Sequence, residues 1–380
     1  MARKKANVSH ETTENGYYSL RNILKEKADY NIVFGERSNG KTYSVLLYGL
    51  QEYANSGYKN QMAIVRRWKE DIKGKRAETF FNALQENGEI EKATNGEYTE
   101  IIFSNGKWYL SNFDTDTQKH IPRKFPLAFS FSLSEVEHDK SASFPNVTTV
   151  LFDEFLTRRY YLPDEFILFM NTLSTIIRDR NNVKIFMLGN AVNRYNPYFQ
   201  EMGLKHADSM EQGTIDLYRF GSNLKIAVEY AASTNKNKPS NKYFAFDNSE
   251  AVKMIINGAW EMAIYPHLTE KFDKKDIMFT FFIEFGTNIL QCEVIANQND
   301  NYIYIHEKTT PFQNDSKDLI YSLEYHTQAN YKRRLLETTT PLTRKIARYF
   351  ALEKVFFQNN EVGEIVRNYI RQSEVSQFAK

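Results

Sequence analysis

The sequence predicts an α/β protein whose first part is a doubly wound parallel sheet, with helices on both faces. Three observations predict this class: a glycine-rich loop between a strand and a helix, an apolar strand that ends in two carboxylates, and strands that alternate with helices through the first half of the chain. Ligands of such sheets lie at the carboxyl ends of the strands, so we expect the functional residues there.

The glycine-rich loop matches the pattern G-x-x-x-x-G-K-[ST]. It consists of Gly35, Glu36, Arg37, Ser38, Asn39, Gly40, Lys41 and Thr42. The loop follows the apolar stretch 30–34 and precedes a helical stretch, 42–53. Amides of such a loop hold phosphates, the lysine reaches the β and γ oxygens, and the hydroxyl coordinates Mg²⁺. This context favours a nucleotide site over an ordinary turn that contains glycine.

The carboxylate-bearing strand covers residues 148–154. Its apolar, β-branched run is typical of a buried parallel strand, which would deliver Asp153 and Glu154 to the ligand edge. We expect Asp153 to bind Mg²⁺ through water and Glu154 to polarise the attacking water. Taken alone, the pair would more simply belong to a solvated turn. The glycine-rich loop upstream in the same chain favours a nucleotide site over a solvated turn.

Further elements follow in order along the first half. We expect a strand at 61–65, a helix at 77–84, a hairpin of 97–103 with 107–110, a helix from Pro163 to about Ile177, and a strand at 183–188. Proline at the first turn of the helix and apolar runs in the strands support these assignments.

The second half has a different texture. Residues 196–230 look irregular apart from a short strand at 226–230, and 233–242 have the composition of a linker. We expect a helix at 249–257, strands at 277–285, 289–296 and 302–306, and helices at 319–325, 342–357 and 362–372. No internal repeat is present in the sequence.

Composition limits the function classes. The chain has 380 residues, of which 42% are hydrophobic, enough for an α/β core and a second domain. The single Cys292 excludes an internal disulfide and fits a reducing cytoplasm. Neither an apolar leader nor a membrane-length apolar stretch occurs, so we expect a soluble protein without a membrane partner. A net charge of +2 means that any surface for nucleic acid must be local.

Several basic and polar residues are candidates for the site. Arg178, near Arg180, follows the predicted helix and could reach a neighbouring subunit's γ-phosphate, or it could be a solvated helix-end arginine. Asn190 could sense the γ-phosphate or belong to a turn after Gly189. Lys140 could serve catalysis or a subunit contact, although a surface lysine is the simpler alternative.

Two basic clusters could contact nucleic acid. Arg66, Arg67 and Lys69 surround Trp68 at the expected ligand edge, where they could contact the DNA backbone or simply cover the indole ring. Basic residues at 332–334 and 344–348 could bind nucleic acid or form an exposed helix surface.

Metal-dependent chemistry elsewhere has little support. The histidines lack ligand spacing, so we expect no zinc site. Glu284 and Glu293 could be remnants of a two-metal nuclease centre, but such a centre needs more acids, and surface positions explain the two glutamates better.

Four segments resemble the DNA-packaging ATPases, or encapsidation proteins, of the small podoviruses of the Salas phage group. They are 35–42, 65–69, 144–155, and 190–192 followed by 196–199, in that family's order and spacing. The resemblance covers residues 28–200 well and is weaker beyond them. This chain departs from the family by an N-terminal extension of about a dozen residues and by Ser38 and Asn39, which replace smaller or apolar residues.

The resemblance implies a domain organisation and a site. It implies a P-loop ATPase domain of the additional-strand conserved-glutamate type at 1–225, including an N-terminal extension at 1–27. A linker or lid region at 226–262 and a smaller α+β domain at 263–380, a vestigial nuclease of the RNase H type, would follow. It assigns the ATP site to Lys41, Thr42, Asp153 and Glu154, trans-acting roles to Arg178 and Lys140, and DNA contact to Lys69.

The expected function is therefore an ATP-driven motor, with ATP and Mg²⁺ as cofactors, that packages double-stranded DNA into a preformed capsid. The implied partners are the portal, a packaging RNA and further copies of the chain in a ring of five. We expect it in the host cytoplasm and transiently at the portal vertex, but not in the mature virion. The alternatives are a terminase-like motor with an active nuclease and an ATP-binding structural adaptor at the portal.

Overall fold

The computed structural model describes residues 2–7, 17–37, 39–138, 143–157, 161–162, 164–190, 196–232, 265–268, 272–286, 288–296, 301–311 and 317–374. The chain divides into two compact units, Met1–Glu261 and Met262–Lys380. No helix in the described ranges is long and apolar enough to cross a membrane.

The first unit is built on one large sheet. Its strands are β1 (Ala2–Asn7), β2 (Tyr30–Gly35), β3 (Gln61–Arg66), β4 (Glu100–Ser104), β5 (Lys107–Asp114), β6 (Lys119–Pro122), β7 (Ala128–Ser132), β8 (Val147–Asp153), β9 (Lys184–Asn190), β10 (Thr214–Phe220) and β11 (Leu224–Tyr230). Its helices are α1 (Arg21–Lys25), α2 (Lys41–Asn55), α3 (Gly74–Glu78), α4 (Asn82–Glu86), α5 (Glu89–Ala93), α6 (Glu165–Ile177) and α7 (Pro197–Glu201).

The strand order is β1-β10-β11-β2-β9-β8-β3-β7-β5-β4, with β6 paired to β5. The strands from β11 to β7 are parallel to their neighbours, whereas the edges are antiparallel. The fold is thus mixed α/β around a parallel sheet, and the predicted strands 30–34, 61–65, 148–154 and 183–188 lie in its parallel part.

Apolar cores cover both faces of this sheet. In β8, Val150 and Phe152 point to one core and Leu151 to the other, because successive strand residues face opposite sides. Helix α6 packs Phe169 onto the first core, and α2 packs Val45 onto the second. Helices on both faces make the parallel part doubly wound.

Two predictions in the first unit are wrong. The helix expected at 77–84 is two short helices, because buried Phe81 packs against Trp108 and the backbone at Phe81 is not helical. Residues 196–230 are not irregular, since they form α7, β10 and β11, although the strand expected at 226–230 is confirmed as part of β11. Strand β11 pairs in parallel with β2, so a domain boundary after residue 225 would cut a strand of the central sheet. The expected linker 233–242 and helix 249–257 lie outside the described residues.

The second unit contains a six-stranded sheet. Its strands are β12 (Ile277–Phe285), β13 (Asn288–Ala296), β14 (Asn301–Glu307), β15 (Ile320–Ser322), β16 (Tyr331–Lys332) and β17 (Val355–Phe357), and its helices are α8 (Pro341–Ala351) and α9 (Asn360–Ser373). The order is β16-β15-β12-β13-β14-β17. Strands β12 to β14 are antiparallel, whereas β15 runs parallel to β12 and β17 parallel to β14.

The three long strands and the last helix agree with the sequence prediction. The helix expected at 319–325 is wrong, because buried Ile320 and Tyr321 pair with β12 as a strand. The helix expected at 342–357 ends at Ala351. Glu353 then takes a positive φ of 57°, and the chain turns into β17.

Candidate functional site

The loop after β2 folds around the side chain of Lys41. Its ammonium donates to the carbonyl of Glu36 and, at 3.0 Å, to Oδ1 of Asn39. Gly40 precedes α2 with φ of 92°, and a Cβ there would lie 3.0 Å from Cβ of Tyr17, so the position favours glycine. Ser38 lies outside the described residues. The loop thereby places Lys41 at the first turn of α2, beside the helix N-terminus.

The charge of Lys41 is only partly compensated. The residue is 6% exposed, and burial lowers the pKa of its ammonium to about 8, although Asp153 and Glu36 oppose the shift. An anion bound here would favour the charged form, because an opposite charge nearby raises the pKa of a lysine. The loop is therefore suited to receive a negatively charged ligand.

Asp153 and Glu154 emerge from β8 next to this loop. Oδ1 of Asp153 accepts from the Thr42 hydroxyl at 3.0 Å. Burial raises the pKa of Asp153, against the attraction of Arg66. Glu154 has φ of 58° and a side chain that is 60% exposed. A non-glycine residue with positive φ is strained, and such strain clusters at functional sites.

Arg66 joins the two carboxylates. Its guanidinium donates to Oδ2 of Asp153 at 2.6 Å and to Oε2 of Glu154 at 3.1 Å, and its side chain is 13% exposed. This follows from the sheet order, because β3 lies next to β8 and both strands end at the same edge. Arg66 therefore lies inside the site, and its expected contact with DNA stays a prediction.

A buried polar network, not foreseen from the sequence, supports the loop after β8. Arg67 donates to both carboxylate oxygens of Glu165, at 2.6 and 2.8 Å, and to the carbonyls of Glu154 and Phe155. The Tyr198 hydroxyl donates to the same carboxylate at 2.6 Å. Because Arg67 holds the carbonyl of Glu154, the network fixes the backbone from which the Glu154 side chain projects.

A pocket of about 710 Å³ brings together several of the predicted site residues. Its lining includes Lys41, Thr42, Asp153, Glu154 and Asn190. Asn190 ends β9 in register with Gly35 of β2, which explains its position beside the loop. The volume lies within the range of small-molecule sites. The arrangement offers a cation, a hydroxyl and two carboxylates to one ligand.

The remaining predicted residues lie elsewhere. Arg178 is exposed at the end of α6, with φ of 50°, at the edge where the parallel strands begin. Arg180 donates to backbone carbonyls around Phe144 and Ile176 and is structural. Lys69 is exposed and paired with Glu135 at 2.7 Å. Lys140 lies outside the described residues.

Tyr18 anchors the chain segment that borders the pocket. Its hydroxyl donates to Oε2 of buried Glu229 at 2.7 Å, and its backbone N–H donates to the carbonyl of Asn39 at 2.8 Å. Burial raises the pKa of Glu229 to about 7. The carboxyl therefore stays protonated in the folded chain at a pH where it would be ionised in the unfolded chain.

This shift predicts a pH-dependent stability. The folded state holds the Glu229 proton up to about pH 7, so the contribution of Glu229 falls between its unfolded pKa, near 4.5, and pH 7. Glu229→Gln removes this dependence. Between pH 5 and pH 8, the free energy of unfolding of the wild type should therefore fall by roughly 2–3 kcal/mol relative to that of the variant. Urea unfolding of the wild type and the variant at both pH values measures this change, and Glu78→Gln, at an exposed position, is the control. A difference in unfolding free energy that is the same at pH 5 and pH 8 would contradict a raised pKa of Glu229.

Comparisons with known proteins agree with the geometry. The family model for the podovirus DNA encapsidation protein (Gp16) matches residues 13–375. The DNA packaging protein of Bacillus phage phi29 is 28% identical over 186 residues, which are 48% of this chain and 49% of that protein. That of Bacillus phage B103 is 29% identical over 177 residues, 46% of this chain and 48% of the relative. The chain thus spans about half the length of the curated relatives it matches.

Two solved structures share the fold. A chain of the bacteriophage Phi-29 viral genome packaging motor assembly matches with a TM-score of 0.55 and 19% identity, over 94% of this chain and 99% of the other. The Phi-28 gp11 DNA packaging motor matches with a TM-score of 0.54 and 16% identity, over 97% of this chain and 100% of the other. With the family match over nearly the whole sequence, the conclusion is that this chain belongs to the podovirus DNA encapsidation protein family.

Proposed function

We propose that this chain is an ATP-driven translocase that moves double-stranded DNA into a preformed phage capsid. The observation that carries the proposal is the convergence of Lys41, Thr42, Asp153 and Glu154 in one pocket of a family member. Strand β9 lies between β2, which carries the loop, and β8, which carries the carboxylates. This inserted strand supports assignment to the additional-strand conserved-glutamate class of P-loop ATPases.

The residues divide the work of ATP hydrolysis. The loop amides and Lys41 hold the phosphates, and Lys41 neutralises charge that develops in the transition state. Thr42 directly and Asp153 through water would hold Mg²⁺, which suits their oxygen-only donors and supplies charge neutralisation at the phosphates. Glu154 orients the attacking water, and Asn190 senses the γ-phosphate.

Residues outside the pocket complete the motor in this proposal. Arg178 and Lys140 act on the ATP of a neighbouring subunit in a ring of five, and exposed Lys69 contacts the DNA backbone. The ring works with the portal and a packaging RNA at the portal vertex, from the host cytoplasm, and is absent from the mature virion. The support for a motor assembly is the match of this fold to chains of solved DNA packaging motors.

The second unit fits a vestigial nuclease of the RNase H type. The support is its topology, three antiparallel strands followed by a fourth parallel to the first. Glu284 lies opposite Ile289, and Glu293 opposite Thr280. Four residues along a strand separate the two glutamates by about 13 Å, too far to share ions about 4 Å apart. The part of the chain that the structure describes holds no group of three or more potential metal-ligating residues.

We therefore predict that the full chain does not cleave DNA with Mg²⁺ or Mn²⁺. Nicking of supercoiled plasmid is the measurement, and a Glu284→Ala chain is the matched control. Nicking by the wild type that the substitution removes would instead favour a terminase-like motor with an active nuclease.

Uptake of DNA into empty capsids tests the proposed function. The wild-type chain, with portal-bearing capsids, RNA and ATP, should protect linear duplex DNA from nuclease, whereas Lys41→Ala should not. Equal protection by both would refute ATP-driven translocation. ATP binding without turnover or DNA uptake would favour the structural adaptor.

A further inference from the structure

Tyr18 ties the segment before α1 to the glycine-rich loop and to the sheet. Its backbone N–H donates to the carbonyl of Asn39 at 2.8 Å, and its backbone carbonyl accepts from the Ser44 hydroxyl at 2.6 Å. Its side chain is buried, and the hydroxyl donates to Oε2 of Glu229, in β11, at 2.7 Å. Tyr18 therefore links the last part of the loop, the first turn of α2 and the strand next to β2.

Strand β11 supports the other end of the loop as well. The N–H of Ala231, which directly follows β11, donates to the carbonyl of Phe34 at 2.8 Å. A Cβ on Gly35 would lie 3.2 Å from the Cβ of Ala231, so the backbone of the loop lies close against this residue. The end of β11 thus holds the start of the loop at Ala231 and the last part of the loop through Glu229 and Tyr18.

Asn39, the loop residue that Tyr18 holds, shapes the surroundings of Lys41. Oδ1 of Asn39 accepts from the Lys41 ammonium at 3.0 Å. An ammonium only donates, so this contact fixes the direction of the amide and leaves its Nδ2 as a donor. Nδ2 is buried and has no hydrogen-bond partner among the residues that the structure describes. Burying such an N–H is unfavourable, and a phosphate oxygen in the pocket would supply the acceptor.

We propose that Tyr18 and Glu229 are positioning residues for phosphate binding; the proposal rests on nucleotide binding by the loop. Their hydrogen bond keeps Asn39, and through it Lys41, in the arrangement that receives the phosphates. Loss of the Tyr18 hydroxyl would leave the buried Glu229 carboxyl without this partner, which favours an outward shift of Tyr18 that admits water. That shift would break the backbone contacts of Tyr18 and release Asn39.

ATP hydrolysis by the assembled full chain, measured over a range of ATP concentrations, tests the proposal. Tyr18→Phe removes only the hydroxyl, so the KM for ATP should rise about tenfold, the effect of about one lost hydrogen bond. Once ATP is bound its phosphates hold the loop, so kcat at saturating ATP should stay within about twofold of the wild type. Equilibrium binding of ATP should weaken by the same factor as KM rises.

Substitutions of Glu229 test the same contact from its other side. Glu229→Gln retains an oxygen that accepts from Tyr18 and should keep the wild-type KM. Glu229→Leu removes the acceptor and should raise KM as Tyr18→Phe does. The double variant of Tyr18→Phe and Glu229→Leu should show no further rise, because either substitution alone already breaks the contact. Glu229 lies between Ile215 and Val33 in the sheet, so leucine suits its surroundings, and Glu229→Leu carries the test if Tyr18→Phe does not fold.

Tyr265→Phe is the matched control. The Tyr265 hydroxyl also donates to a glutamate, Oε2 of Glu364 at 2.6 Å, but in the second unit, so its loss should leave KM and kcat unchanged. A merely structural role of Tyr18 would lower the fraction of active chain, and with it kcat, at an unchanged KM.

Two results decide against the proposal in different ways. A wild-type KM in both Tyr18→Phe and Glu229→Leu, or a fall in kcat alone, would overturn the positioning role while leaving the nucleotide site standing. A wild-type chain that neither binds nor hydrolyses ATP would overturn the nucleotide site itself, and the positioning role with it.

Discussion

Glu154→Gln is expected to bind ATP as tightly as the wild type and to hydrolyse it about 10² to 10⁴ times more slowly. The amide keeps the size of the side chain but cannot take a proton from water, and general-base catalysis contributes a factor of that size. Glu154 is exposed toward the pocket and does not contact Lys41 in the structure, so binding should survive. Binding titration and steady-state turnover measure the two effects separately.

Lys41→Ala is the counterpart of this experiment. In the proposed mechanism Lys41 contacts phosphate already in the ground state, so its loss should weaken ATP binding by at least about tenfold as well as slow turnover. An equal loss of ATP affinity in both variants would show that Glu154 and Lys41 do not have the separate roles assigned to them.

Arg178→Ala is expected to reduce ATP hydrolysis by about 10³ to 10⁵ in the assembled ring and to leave ATP binding unchanged, as for arginines that act on a neighbour's phosphate. Helix α6 has 13 residues, about 20 Å in length, and leads away from the carboxylate edge. Arg178 therefore lies at the edge of the sheet opposite its own Lys41.

Mixed rings decide whether Arg178 acts across subunits. An Arg178→Ala subunit keeps its loop, and a Lys41→Ala neighbour still supplies the arginine, so rings of both should regain part of the activity. Mixed rings that are shown to contain both variants could still be as inactive as rings of either variant alone. This result would mean that Arg178 acts in the site of its own chain or only caps the end of α6.

The central strands and the pocket could be predicted from the sequence because local patterns determine them. In the glycine-rich loop and in the apolar run before Asp153, the functional residues lie within a few positions of one another in the sequence. The edge of a parallel sheet then brings them together whatever the intervening sequence. Asn190 followed from the same rule.

Other features depend on strand order, which the sequence does not reveal. Arg66 and Arg67 looked like a basic cluster around Trp68, and only the pairing of β3 with β8 turns them onto Asp153 and Glu165. Likewise, Ile320 and Tyr321 have an apolar pattern that fits a helix as well as a strand, and their pairing with β12 decides the outcome.

ATP hydrolysis measured with and without duplex DNA tests the proposed motor most directly. A translocase couples turnover to its track, so linear duplex DNA should stimulate hydrolysis by the assembled wild-type chain, and Glu154→Gln should be about 10² to 10⁴ times slower than the wild type in both conditions. Hydrolysis by the wild type at the same rate with and without DNA, or turnover of Glu154→Gln close to the wild-type rate, would contradict the account.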